Sequence, residues 1–303
     1  MLPSFLAALF FAINATCGSK NVRAHGPLRA NLARLLIATV TLAIFAHTVG
    51  HGFSSASLPW YLLSGLIGMG IGDLGTYEAL PRLGSRLTVL MAQCLAAPIA
   101  ALGEWLWLGT RLSAAQMLYG ALILAGVAIA ISPSKSNPPR VRVRAAGVWF
   151  GLLAAAGQGI GALVSRKGVL VAIAAGESTH NAVFGLTAAY QRIVAGTIFT
   201  AAWLALLALA GRAPRVDPAA AATVPHRRLW LVANGLAGPV VGVGCYQWAL
   251  ATAPSGVVLP IAATAPLLAM PVAFFVEGDR PTRRAWLGGL VAVAGCIALT
   301  IAH

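Results

Sequence analysis

Residues 109–130 read GTRLSAAQMLYGALILAGVAIA, and residues 278–299 repeat the pattern as GDRPTRRAWLGGLVAVAGCIAL, with Arg111 over Arg280 and Gly126 over Gly295. Two shorter pairs of stretches also correspond: EALPRLGS (78–85) with WALATAPS (248–255), and NLARLLIATV (31–40) with AYQRIVAGTI (189–198). Similarity between two parts of one chain indicates an internal duplication. The sequence therefore predicts two homologous halves.

The composition is typical of an integral membrane protein. Apolar residues make up 59% of the 303 and charged residues only 9%, whereas about a quarter of a soluble domain is charged. The apolar runs between Gly, Pro and charge clusters predict ten spans, at roughly 3–20, 31–49, 58–80, 85–108, 113–131, 146–165, 183–210, 229–250, 255–276 and 284–302. A run of about 20 residues suffices to cross the bilayer as a helix. We therefore predict an all-α membrane protein with ten transmembrane helices.

The polar stretch SPSKSNPPRVRVR (132–144) divides these spans into two sets of five. It predicts a first repeat at 3–131, a basic linker at 132–145 and a second repeat at 146–302. Because five is odd, the second repeat would enter the membrane in the opposite direction from the first. Inverted repeats of this kind are common in secondary transporters.

The basic residues predict the orientation in the membrane. Of the 21 Lys and Arg residues, 17 fall on the side of the linker, which by the positive-inside rule is cytoplasmic, with both termini outside. The expected location is the cell (inner) membrane, crossed several times. The net charge of +14 lies in short connections and so does not indicate nucleic acid binding. Arg34 and Arg192, equivalent in the two halves, are expected to snorkel toward the interfaces. The alternative is that the two arginines form a gating pair.

One part of the first half resembles a known family. The stretch GDLGTYEALPRLGSRLTVLMAQCLAAPIAALGEWLWLG (72–109), followed by TRLSAAQMLYGALILAGV (110–127), is similar to the EamA-type repeat of the drug/metabolite transporter superfamily. The second half repeats the pattern more loosely. The resemblance implies a secondary transporter, more often an exporter, of a small metabolite or drug-like solute. Where the family often has Gly-Glu, this chain has Gly109-Thr110 and Gly278-Asp279.

Asp73 is the most unusual residue of the third predicted span, because it lies about fifteen residues into it. An ionised side chain at that depth costs at least ~2.5 kcal/mol, so it should face a cavity, find a partner or be protonated. It is either a proton-coupling or solute-contacting group, or a structural carboxyl group hydrogen-bonded between helices. The equivalent position in the second half is at or near Val243. The duplicated pattern itself therefore does not require a carboxylate at the position of Asp73.

Other polar residues recur at a similar depth in different spans. The predicted substrate-binding or coupling residues are Asp73, Tyr77, Asn14, Gln93, Gln158, Tyr246 and Gln247. Each taken alone is more often an interhelical hydrogen bond than a ligand group. Together they predict an apolar pocket with a few placed polar groups, which suits a small amphipathic or zwitterionic metabolite.

The remaining acidic residues of the predicted spans are expected at the membrane interfaces. Glu78 precedes a short basic stretch and should pair with Arg82 or Arg86. Glu104 lies near the outer end of its span beside Trp105, a residue type that is enriched at interfaces. Neither is predicted to contact the solute.

Two other functions compete with transport. GIGD (70–73) resembles the GxGD signature of intramembrane aspartyl proteases, which need two carboxylates, but the only other aspartates, Asp217 and Asp279, lie in basic loops. We therefore predict no enzyme and no catalytic residue. A lipid-handling membrane subunit is the third hypothesis. The predicted partners are a small solute and the lipid bilayer, with protons as the candidate coupling ion. No nucleic acid, cofactor or metal is predicted. The sequence indicates no oligomeric state.

Overall fold

The computed structural model describes residues 1–132, 145–213, 218–269 and 282–301, and every regular element in these ranges is helical. The first half contains α1 (Leu2–His25), α2 (Pro27–Thr48), α3 (Leu58–Gly65), α4 (Asp73–Cys94), α5 (Ala96–Gly103) and α6 (Ala114–Ile131). The second half contains α7 (Ala145–Ala174), α8 (Ala182–Leu209), α9 (Pro218–Ala222), α10 (Arg227–Gly235), α11 (Val243–Thr252), α12 (Ser255–Ala262) and α13 (Arg283–Ile301). Nearly all of the predicted linker lies outside the described residues.

Six helical segments of the described part are long and apolar enough to cross a membrane: Leu2–His25, Pro27–Thr48, Met91–Leu108, Ala145–Ala174, Ala182–Leu209 and Arg227–Thr252. Their surfaces fit a lipid environment. On α2, Leu36, Val40 and Ile44 are 48 to 64% exposed, whereas Leu35 and Leu42 are buried. Apolar side chains spaced by four residues form one face of a helix, and exposure of such a face is favourable in hydrocarbon. The protein is an all-helical membrane protein.

Glycine contacts bring α7 close to the first half of the chain. A Cβ on Gly157 would lie 2.4 Å from the Cα of Gly72, and one on Gly161 would lie 3.0 Å from the Cα of Gly68. Only glycine allows two backbones to approach this closely, and such pairs are typical of packing between membrane helices. The segment that ends at Asp73 is therefore held directly against α7.

Contacts with α7 run in opposite directions along the two ends of the α3–α5 region. From α3 into α4 they move toward the start of α7: Tyr61 lies beside Gly168, Gly75 beside Ala154 and Leu83 beside Gly147. Toward α5 they move back toward the end of α7: Met91 lies beside Gly151 and Ile99 beside Gly159. The sequence predicts a break between two spans at residues 81–84, whereas the structure has the helix α4 there, from Asp73 to Cys94.

Two π-helical segments occupy corresponding places in the two halves. Leu66–Gly72 joins α3 to α4, and Leu236–Gly242 joins α10 to α11. A third π-helical segment, Glu104–Leu108, follows α5. π-Helical turns are rare and often occur at functional sites. The first two therefore point to the region around Asp73 and Val243, the residues that follow them.

Each of these two segments is crossed by a helix that carries an arginine at the crossing point. A Cβ on Gly65 would lie 2.0 Å from the carbonyl oxygen of Arg192 on α8, and one on Gly235 would lie 3.2 Å from that of Arg34 on α2. Both glycines are the last residue before their π-helical segment. The arginines Arg34 and Arg192 are thus anchored at corresponding crossings inside the helix bundle.

Candidate functional site

The centre of the site is an ion pair between α2 and α4. Arg34 Nη2 lies 2.8 Å from Asp73 Oδ2, and the side chains are 12% and 11% exposed. Arg34 Nε also donates to Asn31 Oδ1 over 2.8 Å. Asp73 is the first residue of α4, directly after the π-helical segment, and this places its carboxylate opposite α2. A buried charge needs a partner of this kind, because desolvation is otherwise not compensated.

Two other predicted residues lie around this pair. Gln158 Nε2 on α7 lies 3.5 Å from Asp73 Oδ1 and 3.4 Å from the carbonyl oxygen of Gly68, at the long end of the range for hydrogen bonds. The ring of Tyr77 lies 5.9 Å from Arg34 Cζ, within reach of a cation–π interaction. The structure therefore brings Asp73, Tyr77 and Gln158 together around Arg34.

Arg192 is a second buried arginine, only 3% exposed. Within the described part of the chain it has no partner of opposite charge, and its Nε makes no hydrogen bond there. The ion pairs among the described residues are Arg34–Asp73, Arg82–Glu78 and Arg166–Glu104, and Arg192 belongs to none of them. Arg192 interacts electrostatically with Asp73 and with the phenol of Tyr246. The described interior thus holds two equivalent buried arginines, of which Arg34 forms the ion pair with Asp73.

The other four predicted residues lie apart from the ion pair. Asn14 Oδ1 accepts a hydrogen bond from Asn234 Nδ2 over 2.6 Å, at the second π-helical segment. The ring of Tyr246 lies 6.0 Å from that of Phe11. Gln247 is fully buried, and neither its side-chain nitrogen nor its oxygen has a hydrogen-bond partner in the described ranges. Gln93 is half-buried near the end of α4.

The prediction that Arg34 and Arg192 snorkel to the interfaces is wrong. Both arginines face the interior, because each is fixed where its helix crosses a glycine of the other half. Arg34 finds a carboxylate there, and Arg192 is buried without one. The signal that could have revealed this is the repeat register, which puts an arginine at the same position of both halves.

The two glutamates that were expected at interfaces, Glu78 and Glu104, lie in different environments in the structure. Glu78 Oε2 accepts from Arg82 Nη1 over 2.6 Å with both side chains about one-third exposed, which confirms the predicted pair. Glu104, by contrast, is only 2% exposed, so its side chain faces the protein interior and not the surroundings. It accepts hydrogen bonds from the backbone N–H of Ser255 over 2.7 Å, from the Ser255 hydroxyl and from Arg166 Nε over 3.2 Å. The neighbouring Trp105 is exposed, so only the glutamate faces inward.

A small cavity near the α7–α8 connection has three unpaired polar atoms in its wall. Its volume is about 10 Å³, room for roughly one water molecule. Tyr61, Thr187 and Gln191 line it, and the Tyr61 hydroxyl, the Thr187 hydroxyl and Gln191 Oε1 make no hydrogen bond within the described part of the chain. These atoms are suited to hold a water molecule.

Comparisons with known proteins agree with this architecture. The model of the EamA-like transporter family matches residues 1–132 and 145–301. A crystal structure of a protein with 20% sequence identity superposes with a TM-score of 0.72 over 99% of this chain and 96% of that chain. No curated protein matches the sequence. The chain thus has the fold of that solved structure and carries the family pattern over nearly its whole length.

Proposed function

Because the chain belongs to the EamA-like transporter family, we propose that it is a secondary transporter that exports a small organic solute by alternating access. Membership of the family supports transport as the activity. The direction, the solute and the coupling to protons are our proposal. The protein works in the cell (inner) membrane.

The proposed architecture is two inverted repeats of five helices, at 3–131 and 146–302, joined by a cytoplasmic linker. Three correspondences between the halves support it: the π-helical segments Leu66–Gly72 and Leu236–Gly242, the crossings of Arg34 and Arg192, and the contact of α6 with α13. In α6 and α13, Gly126 lies against Gly288 and Ala292. Repeats of this kind move against each other around a central site in many transporters.

The observation that carries the proposal is the buried pair of Arg34 and Asp73, with Gln158 and Tyr77 around it. The pair joins two helices and lies between two π-helical segments. Protonation of Asp73 would neutralise the carboxylate and leave Arg34 without a counter-charge, a state that is costly in a buried position. Separation of α2 from α4 then becomes favourable. Proton binding at Asp73 would in this way favour one orientation of the transporter.

An intramembrane aspartyl protease is not supported by the site. Such an enzyme needs two carboxylates that share a proton, whereas the carboxylate of Asp73 is bound by the guanidinium of Arg34. The other two aspartates, Asp217 and Asp279, lie outside the described residues. No observation on the described helices favours a lipid-handling subunit over a transporter.

The transport proposal can be tested without knowledge of the solute. Purified protein is reconstituted into proteoliposomes, which are loaded with a small-molecule extract of cells, and mass spectrometry identifies the solutes that leave. We expect one class of solute to leave faster than from protein-free vesicles and faster than from vesicles with the Asp73→Asn variant. Equal loss of every solute from all three preparations would contradict the proposal.

A further inference from the structure

We propose that Arg192 binds the carboxylate of the transported solute, so that the substrate class is organic monocarboxylates. This inference rests on the proposed transport function and adds the charge of the substrate to it. It depends on a contrast between two equivalent arginines. Arg34 has its counter-charge built into the chain as Asp73, and Arg192 has none among the described residues.

The charges in the described interior leave one positive charge unmatched. Arg34 is paired with Asp73, and Arg166 with Glu104. Besides Asp73, Arg192 interacts electrostatically with the hydroxyls of Tyr61 and Tyr246, which are neutral phenols at physiological pH. Asp73 already shares its negative charge with Arg34. Among the described residues, the interior around Arg192 therefore has an excess of one positive charge.

Arginine cannot remove this excess by losing a proton. Its guanidinium stays protonated in proteins, whereas a lysine in the same place could become neutral. An unpaired charge in a buried position is strongly destabilising. An anion that arrives from outside would compensate the charge of Arg192 and regain the energy of charge-assisted hydrogen bonds. The unbonded Nε of Arg192 is one donor that is free for this purpose.

The repeat explains why the chain itself does not supply this anion. Asp73 follows the first π-helical segment directly, and Val243 follows the second. The second half thus has a valine where the first half has the carboxylate. On its other side the guanidinium of Arg192 faces a glycine, since a Cβ on Gly68 would lie 2.9 Å from Nη2. Neither Val243 nor Gly68 supplies an acidic side chain for Arg192.

The type of anion follows from charge and surroundings. One unmatched positive charge fits a monoanion better than a phosphate with nearly two negative charges. The planar fork of arginine binds a carboxylate through two parallel hydrogen bonds. The aromatic ring of Phe11 on α1 lies 6.0 Å from that of Tyr246 on α11, and Tyr246 interacts electrostatically with Arg192. An aromatic or apolar body attached to the carboxylate suits this wall.

Binding is tested with full-length protein in lipid nanodiscs and four probes of defined charge: phenylacetate, phenylacetamide, 2-phenylethylammonium and inorganic phosphate. We expect phenylacetate to bind measurably and to raise Tm of the protein. Phenylacetamide, 2-phenylethylammonium and phosphate should bind at least about tenfold more weakly, because a tenfold loss of affinity corresponds to the loss of roughly one charge-assisted hydrogen bond. Equal binding of phenylacetate and phenylacetamide, stronger binding of phosphate, or no effect of phenylacetate would each overturn the inference.

Variants separate a binding role of Arg192 from a structural one. Arg192→Met should abolish the preference for phenylacetate over phenylacetamide and leave Tm of the ligand-free protein unchanged or higher, because an unmatched buried charge has been removed. The matched control Arg111→Met removes an exposed arginine and should keep the preference. If Arg192→Met lowers Tm of the ligand-free protein strongly, or keeps the preference, Arg192 does not bind the solute.

Failure of this inference can be distinguished from failure of the transport proposal. Carboxylate binding that depends on Arg192, combined with no solute movement in proteoliposomes, would reject transport and keep the anion site. Export of a neutral or cationic solute that is unaffected by Arg192→Met would keep transport and reject the anion site.

Discussion

Arg34 and Asp73 lie on different helices, 39 positions apart in the sequence, and their side chains meet at 2.8 Å with about nine-tenths of each buried. The pair lies beside a π-helical segment that α7 contacts through glycine. In such a position the presence or absence of one proton on Asp73 decides whether Arg34 is neutralised. We regard this pair as the element that links protonation to movement.

The first prediction concerns the energy of this pair. Arg34→Met should lower the free energy of unfolding by about 3–5 kcal/mol, because it leaves the carboxylate of Asp73 buried and unpaired. The double variant Arg34→Met, Asp73→Leu should recover much of this loss, since both charges are gone. Denaturation in detergent micelles measures the difference. A double variant that is as unstable as the sum of the two single variants would show that the residues do not interact.

The second prediction contrasts the two glutamates. Glu104→Gln should lower the free energy of unfolding by about 2–3 kcal/mol, since it weakens charged hydrogen bonds from Ser255 and Arg166. Glu78→Gln, the matched control, removes a partly exposed pair worth only about 0–1 kcal/mol and should leave transport largely intact. Thermal unfolding and solute export are measured for both. Similar stability of the two variants, or loss of export in a folded Glu78→Gln protein, would contradict this assignment.

These residues show what the sequence could and could not predict. The all-helical fold was predictable because apolar runs are a local signal in the sequence. The duplication was predictable because equivalent residues of the two halves recur in the same register. The pairing of Glu78 with Arg82 was also predictable, because residues four apart on a helix are neighbours. The burial of Glu104 was not, since tryptophan neighbours indicate depth in the membrane and not the direction of one side chain. The pairing of Arg34 with Asp73 depends on how α2 crosses the bundle, which no short stretch encodes.

The third prediction tests the close approach of α7. Gly157→Ala places a Cβ that would lie 2.4 Å from the Cα of Gly72, so the helices must separate, at a cost of about 1–3 kcal/mol. The matched control is Gly289→Ala on α13, where a Cβ would meet no atom within 4 Å and should stabilise the helix by about 0.5–1 kcal/mol. Tm is measured in the same detergent. Equal shifts in the two variants would mean that α7 does not pack as described.

The fourth prediction concerns orientation in the membrane. A reporter fused after His303 should be active on the outer face of the membrane, and one inserted near Asn137 should be active in the cytoplasm, because the predicted spans put 17 of the 21 basic residues on the side of the linker. The location of each site is measured with two reporters, one that is active only in the cytoplasm and one that is active only outside it. A cytoplasmic reporter at His303 would reverse the proposed orientation without changing the fold.

The central claim is that protonation of Asp73 drives transport, and the direct measurement is solute accumulation in proteoliposomes with an imposed pH gradient. Asp73→Asn keeps the shape and some hydrogen bonding of the side chain and removes its titration. We predict that the variant folds and inserts, no longer accumulates solute against its gradient, and binds solute with an affinity that does not change with pH. The parent protein should accumulate the solute and bind it in a pH-dependent way. If the Asp73→Asn protein accumulates solute as the parent does, Asp73 is a structural carboxyl group and the claim is wrong.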